Sequence, residues 1–206
     1  MLTSEQIRRN YESALETAGR FFMGEAPVQL AAHRITRALR DLGVPHVVCG
    51  GLAVAAHGHL RLTQDVDILV TREGLERFKD RWLGRGWVER FAGSRGLRDA
   101  EHGVQIDVLL TGDFPGDGKP GPIAFPDPAD CAIESGGVSV LSLSKLIELK
   151  VASGLSAPAR LQDWADVIAL VRANGLGADF AQELHPHVRE KFAELWTLAQ
   201  TTTDER

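Results

Sequence analysis

The nine residues TQDVDILVT (63–71) constrain this chain more than any other segment. They alternate, so an extended backbone turns Asp65, Asp67 and Leu69 to one face and Val66, Ile68 and Val70 to the other. One face can be buried in a core, while the other carries two carboxylates side by side. Like charges held that close raise each other's pKa and are costly unless a cation neutralises them. The segment therefore predicts a sheet with a core on one side and a cation site on the other.

The flanking segments supply the rest of an α/β chain. HVVCGG (46–51) is a valine-rich run that breaks at Gly50-Gly51, and LAVAAHG (52–58) is alanine-rich, which reads as strand, tight turn, helix. EGLERFKDRWLGRGW (73–87) is helical up to the Gly84 to Gly86 break. WVERF (87–91) and GVQIDVLLT (103–111) read as strands joined by the polar GSRGLRDAEH, and the second of them carries Asp107. Apolar residues recur at three and four over residues 3–23 and 28–42, giving two helices ahead of the first strand.

Further on, GDFPGDGKPGP (112–122) is too rich in Gly and Pro for regular structure and marks a boundary. Residues 123–140 are expected to add short extended pieces. SLSKLIELKVASGL, LQDWADVIALVRANG and DFAQELHPHVREKFAELWTLA then form a helical bundle, with Ser142 or Ser144 and Asp179 as caps. The expected organisation is an N-terminal helix (1–24), an α/β core with a small mixed sheet (25–122) and a mainly helical C-terminal region (123–206). No internal repeat is present.

Asp65, Asp67 and Asp107 have a physical reason to act together. Magnesium takes hard oxygen ligands, and residues i and i+2 on a strand present theirs side by side. Two ions about 3.5–4 Å apart could activate an attacking hydroxyl and stabilise a leaving pyrophosphate. Asp65 and Asp67 would bridge the ions, and Asp107 would hold or deprotonate the acceptor side. Gly50 and Gly51, at a strand-to-helix turn, let backbone N–H groups meet a triphosphate with no Cβ in the way. Read singly, the glycines are equally a tight turn and Asp107 equally a surface residue of a hairpin; their joint order carries the weight.

VCGGLAVAAHGHLRLTQDVDILV resembles the signature of the polymerase-β-like nucleotidyltransferase superfamily: an apolar residue, Gly, Gly or Ser, a spacer, then Asp, apolar, Asp or Glu, apolar. Arg61, Thr63, Asp65 and Asp67, with QIDVL supplying the third acid, are similar to the bacterial branch of minimal nucleotidyltransferases and type IV toxin–antitoxin toxins. LSLSKLIELKVASGL followed by RLQDWADVIAL resembles that branch's helical tail. The resemblance spans residues 28–172. It implies a metal-dependent transferase using a nucleoside triphosphate, with Lys150, Arg160 and Asp163 near the nucleotide. Where the tail often reads Lys-Asp, this chain has Gln162-Asp163, which leaves Arg160 or Lys150 for a basic phosphate contact. Arg61 and Thr63 are either a solvated loop pair or the residues that orient Asp65 and the phosphates.

Other features narrow the field. A net charge of −5 argues against a long nucleic-acid footprint, which needs clustered Lys and Arg. No long apolar run exists and the N-terminus is charged, so a cytoplasmic protein without a membrane span is expected. Cys49 and Cys131 lie in apolar settings without CxxC spacing and read as buried thiols. His57 and His59 lack further ligands at zinc spacing, Lys145 and Lys150 do not share one helix face closely, and GDFPGDGKP lacks P-loop spacing. The four tryptophans sit in apolar patterns and read as core.

The leading reading is an enzyme that transfers a nucleoside monophosphate from a triphosphate to a protein hydroxyl, an RNA end or a small molecule. Two others stand beside it: a nucleotide-binding module acting through a partner protein, as in a toxin–antitoxin pair, and an interaction domain whose acids are merely solvated.

Overall fold

A computed structural model describes residues 3–135 and 137–201. The ends of the expected N-terminal and C-terminal regions, residues 1–2 and 202–206, and Gly136 lie outside the described residues.

The elements run α1 (Ser4–Phe22), α2 (Pro27–Asp41), β1 (His46–Val48), α3 (Gly50–Ala56), β2 (Asp65–Val70), α4 (Arg72–Trp82), β3 (Trp87–Glu89), β4 (Leu97–Asp99) and β5 (Gln105–Leu110). They continue with α5 (Pro128–Cys131), β6 (Ala132–Ser135), β7 (Val138–Leu141), α6 (Leu143–Ser156), α7 (Leu161–Asn174), a 3-10 turn (Ala178–Glu183) and α8 (Pro186–Thr201). The strands form one seven-stranded mixed sheet in the order β3-β4-β5-β2-β1-β7-β6.

The alternation of β2 sets the two layers. Val66, Ile68 and Val70 are buried with Ile35 and Leu39 of α2, Phe78 of α4, Trp87, and Ile106, Val108 and Leu110 of β5. Leu69 lies in a second core with Val47, Leu141, Ile147 and Val151 of α6, Val167 and Leu170 of α7, and Phe192 of α8. A buried aliphatic side chain of this kind contributes about 1.5–3 kcal/mol, so slipping β2 by one residue would turn the valines outward and lose both cores at once. Trp82, Trp87, Trp164 and Trp196 all belong to or pack on these cores.

Two features depart from what the pattern alone gives. The polar stretch between β3 and β5 contains a short strand, β4, whose Leu97 and Asp99 are buried while Arg98 is exposed. The sheet also runs past the Gly/Pro stretch at 112–122, because β7 pairs in parallel with β1 through Val48 and Val140, and β6 pairs with β7. Residues on both sides of that stretch thus share one sheet. The turn Ala178–Glu183 closes at Leu184, and Pro186 opens α8, since its ring suits a first helical turn. Asp179 therefore lies in the turn, outside α8.

Candidate active site

Parallel pairing of β2 with β5 sets Asp67 directly beside Asp107 and Asp65 beside Gln105. Because Ile106 and Val108 share the core of Val66 and Ile68, Asp107 falls on the face that carries Asp65 and Asp67. The turn after β1 brings the glycine pair against them. Gly50 has φ +57°, and a Cβ there would fall on the Asp67 carboxylate. At Gly51 a Cβ would stand 2.9 Å from Thr63 Cβ and 3.2 Å from an Arg61 nitrogen. The glycines thus serve the close approach of the carboxylate strand, whatever else their N–H groups meet.

A cleft of about 580 Å³ opens over this face, between the sheet and α6 and α7. Gly50, Gly51, Arg61, Thr63, Asp65, Asp67, Asp107, Lys150, Arg160 and Asp163 all line it. The structure therefore brings the candidate catalytic and nucleotide-binding residues to one cleft. Its remaining wall includes Phe114, Pro115 and Gly116 of the Gly/Pro stretch, pinned to α6 by Ser156 Oγ donating to the Pro115 carbonyl at 3.1 Å.

One end of the cleft is acidic and unresolved in charge. Asp67 is pushed up from the usual carboxylate range to about 6, first by burial and then by repulsion from Asp65 and Asp107, with Lys150 and Arg160 pulling the other way. Thr63 Oγ1 donates to Asp65 Oδ1 at 3.0 Å, so the hydroxyl orients that carboxylate. Asp107 meets Arg90, whose guanidinium lies 2.5 Å from Asp107 Oδ1.

The opposite end is basic and closely bonded. Lys150, buried on α6, lies 3.1 Å from Asp163 Oδ1 and 2.6 Å from Asp166 Oδ2. Arg61 grips Asp166 with two nitrogens, at 2.8 and 3.0 Å, and does not bond Asp65. Arg160 Nε and Ser153 Oγ both donate to Asp163 Oδ2. Burial pulls Asp163 and Asp166 upward, but Lys150, Arg160 and Ser153 on the first and Arg61, Lys150 and Gln162 on the second outweigh it, leaving both below the usual range. With Arg61, Lys150 and Arg160 against two carboxylates, this end keeps one positive charge in excess.

Asp166, Arg90 and Ser153 were not singled out from the sequence. Asp166 stands three residues after Asp163, on the same side of a helix, which was a usable signal. Arg90 and Ser153 gave none, since their partners lie on other elements, 17 and 10 residues on, at no spacing that a helix or strand repeats. His57 Nε2 bonds the Leu141 carbonyl at 2.7 Å, a packing role, and both cysteines are free and buried.

Three carboxylates stand on one face of adjacent strands, one of them raised by burial and then by repulsion from the other two, beside a glycine whose missing side chain leaves them room; carboxylate oxygens are donors of the kind a hard divalent cation takes. Among the described residues, no group of three or more His, Cys, Asp or Glu side chains is placed so that it could hold a metal ion as it stands. No described helix is long and apolar enough to cross a membrane.

The seven-stranded mixed sheet and its helices form a mixed α/β fold that other solved structures share. Among solved structures the chain is similar to the crystal structure of ANT(2″)-Ia in complex with adenylyl-2″-tobramycin, with TM-score 0.51 and 16% identity over 84% of this chain and 96% of that one. It is similar also to the solution structure of the antibiotic-resistance factor ANT(2″)-Ia, with TM-score 0.52 and 17% identity over 82% and 94%. At these identities the likeness shows the fold. No family model matches the chain, and no curated protein does.

Proposed function

We propose that this protein is a metal-dependent nucleotidyltransferase that moves a nucleoside monophosphate from a nucleoside triphosphate to a hydroxyl acceptor. The observation that supports this best is the polarity of the cleft. Repelling carboxylates stand at one end and an excess positive charge at the other, the distribution a cation-bound triphosphate matches in reverse.

Asp65, Asp67 and Asp107 would hold two magnesium ions. When bound there, the ions supply activation of the attacking oxygen and neutralisation of the leaving pyrophosphate. Thr63 keeps Asp65 turned to that task. The backbone N–H groups after Gly50 and Gly51 would donate to phosphate oxygens, since the first turn of a helix leaves such groups without intrahelical partners. Lys150 has three donors, of which two serve Asp163 and Asp166, so one remains for a phosphate. Arg160, with its side chain 56% exposed, is the more accessible cation. The acceptor oxygen attacks the α-phosphorus, the bond to pyrophosphate breaks with its electron pair leaving on pyrophosphate, and the hydroxyl proton passes to Asp107.

ANT(2″)-Ia was solved in complex with adenylyl-2″-tobramycin, which favours trying the small-molecule class of acceptor ahead of a protein hydroxyl or an RNA end. A second reading, a nucleotide-binding module that works through a partner protein as in a toxin–antitoxin pair, draws support from α1. That helix leaves Tyr11, Leu15 and Phe22 exposed and joins the core through Phe21.

Calorimetry with each of the four ribonucleoside triphosphates and magnesium tests the proposal. Wild type should bind at least one of them, and folded Asp65→Asn/Asp67→Asn should not. Equal binding by both would remove the carboxylates from the site, and no binding by wild type would favour the partner-dependent module.

A further inference from the structure

Arg90, just outside the cleft lining, is held against Asp107, and no step of the proposed transfer uses it. It follows β3, and its N–H donates to the Gly96 carbonyl at 3.1 Å, which fixes the backbone from which the guanidinium reaches Asp107. Gly96 makes room for that reach, because a Cβ there would stand 2.8 Å from Arg90 Cδ. The other cations at the cleft are engaged elsewhere: Arg61, Lys150 and Arg160 with Asp163 and Asp166, and Arg95 with Asp113 at 2.5 Å. The Arg90–Asp107 pair is 41% and 39% exposed, so water reaches it and exchange is cheap.

Arg90 holds Asp107 through Oδ1, so a divalent ion that takes the carboxylate through that oxygen has to displace the guanidinium, and the two cations compete for it. We propose that Arg90 is a stand-in cation, a positioning residue that holds Asp107 until a divalent ion displaces it, and so sets the affinity of the carboxylate cluster for metal. This rests on the cation-site reading above. Its sign separates it from plain support of the strand. Removing a competitor tightens metal binding, whereas removing a buttress loosens it or leaves it alone.

The test is a Mn²⁺ titration of the full chain without nucleotide, followed by calorimetry and by the spin-resonance signal of free Mn²⁺. It compares wild type, Arg90→Gln, Arg90→Lys, Asp107→Asn and Arg90→Gln/Asp107→Asn, each checked for folding by its melting temperature. Arg90→Gln should bind Mn²⁺ about three- to fivefold tighter, as loss of a competing exposed pair implies, and Arg90→Lys should stay near wild type. Asp107→Asn should weaken binding, and adding Arg90→Gln to it should bring no gain. Equal or weaker binding by Arg90→Gln, or the same gain in the Asp107→Asn background, overturns the inference while leaving the cation site standing. Failure of every folded variant to bind Mn²⁺ overturns both.

Discussion

Two groups of buried or half-buried carboxylates share one cleft, and their surroundings are opposite. Asp163 and Asp166 are held down by Lys150, Arg61, Arg160 and Ser153. Asp67 is pushed up by burial and by its own neighbours, and the cations near it pull only weakly against them. Charges that the chain satisfies itself tie elements together, here α6 and α7 to the segment before β2. Charges that it leaves repelling cost stability and are available to a ligand. The contrast separates scaffold from site among residues of the same type.

The largest effect expected from breaking this contrast is at Lys150. Lys150→Met leaves Asp163 and Asp166 short of their shared ammonium, and denaturant unfolding at neutral pH should show a loss of about 3–5 kcal/mol. At the other cluster the same kind of change should stabilise. Asp67 loses its proton near 3.8 when unfolded and near 6 when folded, so wild type loses stability as pH rises between those values and keeps that deficit above them. Asp67→Asn in metal-free buffer should gain about 2–3 kcal/mol at pH 8 and nothing at pH 3.5. A gain that does not vary with pH would contradict the raised Asp67 carboxyl, which burial and then repulsion from Asp65 and Asp107 produce.

Arg61→Gln should cost about 1–2 kcal/mol in the same unfolding assay, less than Lys150→Met because Lys150 and Gln162 still bond Asp166. Thr63→Ala, which removes one hydrogen bond to Asp65, should change stability by under about 1 kcal/mol. If the losses at Arg61 and Lys150 add while both are in contact with Asp166, the basic end is not the single network described.

Much of this was written in short-range pattern. Period-two alternation in TQDVDILVT put Asp65 and Asp67 on one face and GVQIDVLLT was legible as the strand that carries Asp107; the parallel pairing that sets Asp107 beside Asp67 needed the fold. The glycine pair was legible as a turn; its closeness to Asp67 needed the fold. What escaped was long-range. Arg61 and Asp166 are 105 residues apart, and nothing in either neighbourhood names the other. β4 is three residues in a polar stretch and exists because β3 and β5 pair on either side of it. The parallel pairing of β7 with β1 joins segments on either side of the Gly/Pro stretch, where composition pointed to a break.

The most direct test of the central claim is a crystal structure of the full chain grown with Mn²⁺ and a non-hydrolysable nucleoside triphosphate analogue, with anomalous data to locate the ions. The account predicts manganese on Asp65 and Asp67 and the triphosphate running toward Gly51, Lys150 and Arg160. Manganese at Asp163 and Asp166, or nucleotide bound away from the carboxylate strand, would contradict it.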